Sequence, residues 1–567
     1  MSKSANRNPE WVGELQGHLV TGESSVVLLH GNVRDVYEHD GKFISLADYL
    51  FQAVTKNRDF NFFYDPQGGV QFPEKKHREE FLRNLQGYDS FHGTQFASSP
   101  PREPGPAFGV IENICKLRVL DGASVCGVIN YLEHIIPANA GANMNAEHRY
   151  LMITLDKWAQ NPMFVNNNIT IFIIAENLAR VDENITRNPF IPRIYIPHPA
   201  LDSRIHFASQ KRTELNLKSD LDNTVIGKYT AGLSLVQQSR MFSWVGSNEK
   251  SLDLPTLKEL KRSYIEAECY GLLEFVEPKH DLSFVAGHVE AKKLLKSTTE
   301  AVKRGLTDHL PMGYLICGPV GTGKTFLVNC FAGDIGIPVV KFLNFRSQWQ
   351  GVTEANLEKI INLLKAAYPV VVMIDEADAF LGNRKASGDS GTSSRVFASL
   401  AAFMGDTFYR GKILWFLMTS RPDLLPIDLK RQGRAEEHIA LFHTQNDAEQ
   451  QEMFLALARK NKINIEGLVL KPASPEDVLS GADIEAVLVR AALASALADE
   501  KKLSQKTLDE TVANFLSPNY PLENEIQTLI SIRECTRREL IPEKYKSLSP
   551  AEVSARINEL IVLLRDN

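Results

Sequence analysis

Short, uninterrupted apolar runs separated by stretches of helical period dominate the second half of the chain. Gly313-Tyr-Leu-Ile-Cys317, Pro369 to Ile374 and Ile413 to Met418 carry almost no polar residue, and a further strand is expected over Val339 to Leu343. Strands that are apolar on both faces indicate a parallel sheet covered by helices on each side, so the expected fold class is α/β. After about Phe442 the period becomes helical, as in Asp447 to Lys460 and Asp483 to Glu500, which suggests a small helical lid. The last 50 or so residues read as two helices around a break at Ser547-Leu-Ser-Pro550, the last being Ala551 to Arg565.

The first half repeats this plan. Its apolar runs are Val26 to His30, Val125 to Ile129 and Thr170 to Ala175. Asn130-Tyr131 ends the second run where Asp375-Glu376 ends its counterpart, 245 residues later, and Glu176-Asn177 stands 243 residues before Thr419-Ser420. Two strand ends at nearly one spacing imply tandem modules. From Gly31 to Asn130 the first module spans 99 residues, against 57 from Gly318 to Asp375. The excess includes Ser98-Ser-Pro-Pro-Arg-Glu-Pro-Gly-Pro106, expected to be a surface insertion.

Gly318-Pro319-Val320-Gly321-Thr322-Gly323-Lys324-Thr325 has the spacing of a phosphate-binding loop and lies between a strand and a helix. Glycines let successive N–H groups turn toward phosphate oxygens, and the helix starting near Lys324 adds the positive end of its dipole. Lys324 is placed to reach the β- and γ-phosphates and the Thr325 hydroxyl to hold Mg²⁺. Asp375 suits magnesium coordination through water, and Glu376 suits a base that orients attacking water. In the first module, aligning Gly31 to Tyr37 with this loop sets Tyr37 at the lysine position. Asn130 and Tyr131 there supply neither carboxylate, so that module is expected not to hydrolyse ATP.

Composition narrows the partners. The 567 residues exceed one core and are 44% apolar, 23% charged and −6 in net charge. That acidity gives no general attraction to nucleic acid, and none is expected as partner. Six scattered cysteines without a CxxC pair read as reduced buried thiols. Neither a secretory leader nor an apolar run long enough to span a bilayer is present in this sequence, so a cytoplasmic location is expected. There is no HExxH, which disfavours a fused zinc protease.

The loop, Ile374-Asp-Glu-Ala-Asp378, Thr419-Ser-Arg-Pro-Asp423, Arg431-Gln-Gly-Arg434 and Ser480-Gly-Ala-Asp-Ile484 together resemble the AAA ATPases over about Asp281 to Leu497. The tandem layout, with Gly271-Leu-Leu-Glu-Phe275 before the active module, is similar to a little-described AAA family of cyanobacteria and plastids. The resemblance implies ATP and Mg²⁺ as ligands and assigns Phe284-Val285-Ala286-Gly287 to the adenine. It makes Arg431 and Arg434 arginines that reach a neighbouring subunit's nucleotide, hence a homo-oligomer, most often a hexameric ring. Ser420 takes the sensor position, usually asparagine, with a shorter reach. Trp349 falls at an aromatic pore loop, Gly382 to Arg395 at a second central loop, and Arg395 at a subunit contact.

The domains expected are a degenerate AAA-like module over 1–205 with its proline-rich insertion near 92–106, and a helical lid and linker over 206–275. An active ATPase domain over 276–443, a helical lid over 444–516 and a helical extension over 517–567 follow. The function implied is a chaperone-like motor that hydrolyses ATP to remodel or disassemble a protein partner. The alternative is a slow ATP-dependent scaffold or adaptor that does not thread polypeptide.

Overall fold

Two six-stranded sheets carry the architecture, each in its own unit: residues 1–265 with 353–366, and residues 266–352 with 367–567. This computed structural model describes residues 9–22, 24–55, 58–138, 146–268, 273–343, 354–381, 392–471, 479–498, 502–516 and 520–566.

The strands of the first unit are β1 (Val26–Gly31), β2 (Val36–His39), β3 (Lys42–Ser45), β4 (Phe60–Asp65), β5 (Gly69–Gln71), β6 (Val125–Ile129), β7 (Ile169–Ala175) and β8 (Arg193–Ile196). The sheet runs β5-β4-β6-β7-β1-β8, parallel except for the edge pair β4–β5. Every residue of β6 and β7 is buried, as the continuous apolar runs require. Helices such as Pro104–Leu120 and Ala146–Gln160 cover one face through Phe108, Ile111, Leu155 and Trp158.

In the second unit they are β9 (Leu273–Phe275), β10 (Gly313–Cys317), β11 (Val339–Phe342), β12 (Val370–Ile374), β13 (Ile413–Thr419) and β14 (Glu437–Ala440). Their order is β14-β10-β13-β12-β11-β9, with only β9 antiparallel. Numbered by occurrence, the five parallel strands of both sheets run 2-3-4-1-5. The chain is thus a tandem of α/β modules with one topology. Each module is followed by helices, among them Leu235–Ser247 in the first and Asp447–Asn461 and Gly481–Leu497 in the second.

Two features depart from the expectations. No loop-to-helix turn follows β1: the chain enters the β2–β3 hairpin, and the next helix opens at Leu46 with Ser45 as its cap. Tyr37 therefore does not stand at a lysine position. It lies on β2, its hydroxyl donating to the Asn32 carbonyl (2.5 Å) and its ring packed edge-on to Trp11. The proline-rich stretch is also not all surface loop, because Pro104 opens a buried helix, where its missing N–H costs nothing.

Candidate nucleotide site

Strand order decides what meets at the C-terminal edge of the second sheet. β10 lies between β14 and β13, and β12 lies beside β13. The loop leaving β10, Ser420 leaving β13 and Asp375 leaving β12 therefore emerge side by side, in the position where open α/β sheets bind ligands. Gly321 and Gly323 both have φ +83°, the left-handed conformation that glycine adopts without a steric penalty. At Gly318 a Cβ would fall 2.2 Å from the Leu441 carbonyl oxygen, and at Gly321 it would fall 2.9 Å from Ser480 Cβ. Beside Gly323 a Cβ would meet nothing within 4 Å, so the loop is open on that side.

Lys324 begins the helix Lys324–Ile335, and its ammonium donates to the carbonyls of Gly318 (2.8 Å) and Pro319 (2.9 Å). The Thr322 hydroxyl, buried, closes the loop onto the Pro319 carbonyl (2.9 Å). Thr325 Oγ1 lies 3.2 and 3.3 Å from the two oxygens of Asp375. Asp375 also accepts from Lys341 Nζ (3.2 Å) and from the Glu376 N–H (3.1 Å). A hydroxyl and a carboxylate this close form a hard-oxygen pair that fits a hydrated magnesium ion. Glu376 is exposed and has φ +47°; Tyr131, at the matching strand end of the first module, has φ +63°. The Thr419 hydroxyl donates to Asp378 (2.6 Å), which leaves Ser420 next along the chain at the mouth of the sheet.

Val285 is buried and does not itself line the adjoining cavity of about 250 Å³. The residues after it do, from Ala286 to Ala291, facing His443, Glu449 and Met453. His288 Nε2 lies 3.1 Å from the Thr322 carbonyl, which ties this segment to the loop. Burial lowers the His288 and His443 pKa values, keeping both imidazoles neutral at pH 7, and among the described residues the buried His443 Nε2 has no hydrogen-bond partner. A phosphate-shaped loop, an open side and an unpartnered ring nitrogen beside a cavity fit an adenine nucleotide.

The two arginines differ. Arg431 is 60% exposed and only 3.6 Å from Asp428, whereas Arg434 is 13% exposed and donates to the Asp428 carbonyl (2.7 Å). Lys341 and His443 lie in no motif of the sequence, and Thr419 and Asp378, each within a motif, show their hydrogen bond only in the fold. Trp349 and the segment Gly382–Gly391 lie outside the described residues, as does the side chain of Arg395.

Such a site on a parallel sheet of this order defines a P-loop nucleotide-binding protein. Residues 3–197 match the family "AAA+ chaperone, N-terminal Rossmann-like domain", 202–270 the "AAA+ chaperone, second helical domain", and 314–442 the "ATPase family associated with various cellular activities (AAA)". All three are AAA+ families, so the chain is built of AAA+ domains, and its second module is an AAA ATPase domain that binds nucleotide. It is similar to the ATP-dependent zinc metalloprotease FtsH of Thermus thermophilus, 32% identical over 250 residues, 41% of this chain and 39% of that one. It is also similar to the uncharacterized AAA domain-containing protein ycf46 of Pyropia yezoensis, 25% identical over 360 residues, 60% of this chain and 70% of that one. The chain covers only about two fifths of the length of the FtsH relatives. Among the described residues no helix is long and apolar enough to cross a membrane.

Proposed function

We propose that the chain is an Mg²⁺-dependent ATPase acting in a homo-oligomeric ring that remodels or disassembles a protein partner. The observation that carries this reading is the meeting of Lys324, Thr325, Asp375 and Glu376 at one sheet edge.

Loop amides and Lys324 bind and orient the β- and γ-phosphates. Thr325 and, through water, Asp375 would hold Mg²⁺, which would supply charge neutralisation at the phosphate oxygens. Glu376 orients a water molecule toward the γ-phosphorus and takes its proton as the bond to the β-phosphate oxygen breaks, releasing ADP and phosphate. In this reading the Ser420 hydroxyl reaches that water or the γ-phosphate. Arg431, exposed and loosely held, suits a contact with a neighbour's phosphate, while Arg434 positions the segment by holding the Asp428 carbonyl. The first module has no such loop. The Asp35 carboxylate there accepts from Leu235 N and Val236 N (both 3.0 Å), capping the helix Leu235–Ser247 with the protein's own anion. That module suits partner recruitment, and the cytoplasm is the compartment in which we place the protein. Neither zinc nor proteolysis carries over from FtsH, since the sequence has no HExxH.

The test is ATP turnover and size in solution of the native chain, with and without Mg–ATP. We expect Mg²⁺-dependent hydrolysis together with a shift to a ring-sized species. Hydrolysis by a persistent monomer would overturn the ring, and absence of Mg–ATP binding would overturn the whole reading.

Lys324 makes the binding step sensitive to pH. Desolvation pulls its pKa down to about 8, with Cys317, Asp375 and Asp378 pulling the other way. The ammonium is present below that value and lost above it, so ATP affinity should fall between pH 7 and 9, and binding near pH 8 should take up a proton. Calorimetry in two buffers of different ionisation enthalpy reads that proton. Stability should move the opposite way: between about 8 and 10.4 the unfolded chain holds more protons, so this group makes stability rise with pH.

A further inference from the structure

Pro319 has no N–H, so Val320 supplies the next amide of the phosphate loop. That N–H donates to Oε1 of Gln527 (3.0 Å), which lies 207 residues away on the helix Pro521–Glu534. The helix does not need this bond to dock. Its Ile526, Leu529 and Ile530 already pack on Cys317, Ala440 and Phe442 beside the loop. Nor does Val320 need it for solvation, being 64% exposed, where water would serve its N–H equally well.

Two helical turns beyond Gln527, on the same side of the helix, Glu534 pairs with Lys430 Nζ (2.7 Å), and both side chains are largely buried. Lys430 immediately precedes Arg431. The chain then clamps β14 through the paired contacts of Arg537 with Glu437 (2.9 and 2.8 Å), and Glu539 to Pro542 form a wall of the cavity beside Gly287 and His443. One continuous segment therefore touches the phosphate loop, the arginine-bearing turn and the cavity.

We propose that the segment Pro521–Pro542 is part of the nucleotide site, with Gln527 positioning the phosphate loop and Glu534 positioning the Arg431 turn. This inference rests on the ATPase reading above. The rigid helix between the two residues gives the loop and the arginine turn a common anchor, so each holds its place relative to the other.

The test uses the full chain, with ATP affinity measured by titration and kcat by phosphate release. Gln527→Met keeps side-chain length but removes the acceptor, and should weaken Mg–ATP binding by about 2- to 12-fold, the range spanned by one hydrogen bond. Glu534→Gln keeps shape but removes the charge, and should lower kcat by threefold or more with affinity unchanged. Melting curves verify that both variants are folded. A helix that only packs would shift the melting temperature and leave affinity and kcat at native values in both variants, and that result would overturn the proposal. If the native chain itself does not bind Mg–ATP, the ATPase reading fails instead.

Discussion

Replacing Glu376 by glutamine is expected to leave Mg–ATP affinity within about twofold of native while lowering kcat by about 10²–10⁴, the usual worth of a positioned general base. The change is nearly isosteric, and the proposed mechanism assigns the phosphates to the loop amides, Lys324 and Mg²⁺ and not to Glu376. Its backbone is held at φ +47°, a conformation uncommon for residues other than glycine, and its N–H is bonded to Asp375. The residue is exposed at the C-terminal end of β12, beside Asp375. The amide keeps the shape but cannot take a proton from water. Single-turnover hydrolysis and ATP titration on one sample measure both halves of the expectation. Native turnover in the variant would remove Glu376 from the chemistry, and lost affinity would move it into binding.

That backbone conformation also bears on what could be read from the sequence. The pairing of Asn130-Tyr131 with Asp375-Glu376 rested on spacing alone, and both second residues adopt positive φ at the ends of equivalent strands. Continuous apolar runs register as buried parallel strands because burial on both faces leaves no polar position, so β6, β7, β10, β12 and β13 were all legible. The short edge strand β9 was not, since three residues carry too little period to register. Tyr37 was misplaced because spacing from Gly31 cannot distinguish a loop entering a helix from a hairpin of alternating residues. At the site, the loop and the acidic pair are local motifs and were legible. Gln527, His443 and Lys341 reach it from distant segments, and only the folded sheet brings them there. The last helix, expected over Ala551 to Arg565, runs Pro550–Asp566, while its packing with Ile526 and Leu529 had no sign in the local pattern.

Arg431→Ala should lower turnover by about 10³–10⁵ without weakening ATP binding, because an arginine finger stabilises charge that develops only during phosphoryl transfer. Its side chain is 60% exposed, and the nearest acid, Asp428, is itself 66% exposed, so the pair does little to hold it back. Arg434, 13% exposed and bonded to a backbone carbonyl, is built to support the turn and cannot extend in the same way. If Arg431 serves a neighbour's nucleotide, two inactive variants must complement each other. A subunit with Arg431→Ala retains Glu376, and a subunit with Glu376→Gln retains Arg431. In an equal random mixture about a quarter of the head-to-tail interfaces pair an intact site with an intact arginine, so about a quarter of native turnover should return. Steady-state phosphate release on the mixed and unmixed samples measures this directly. No recovery from two variants that each bind ATP would mean that Arg431 acts within its own subunit, and the ring would lose its chemical justification.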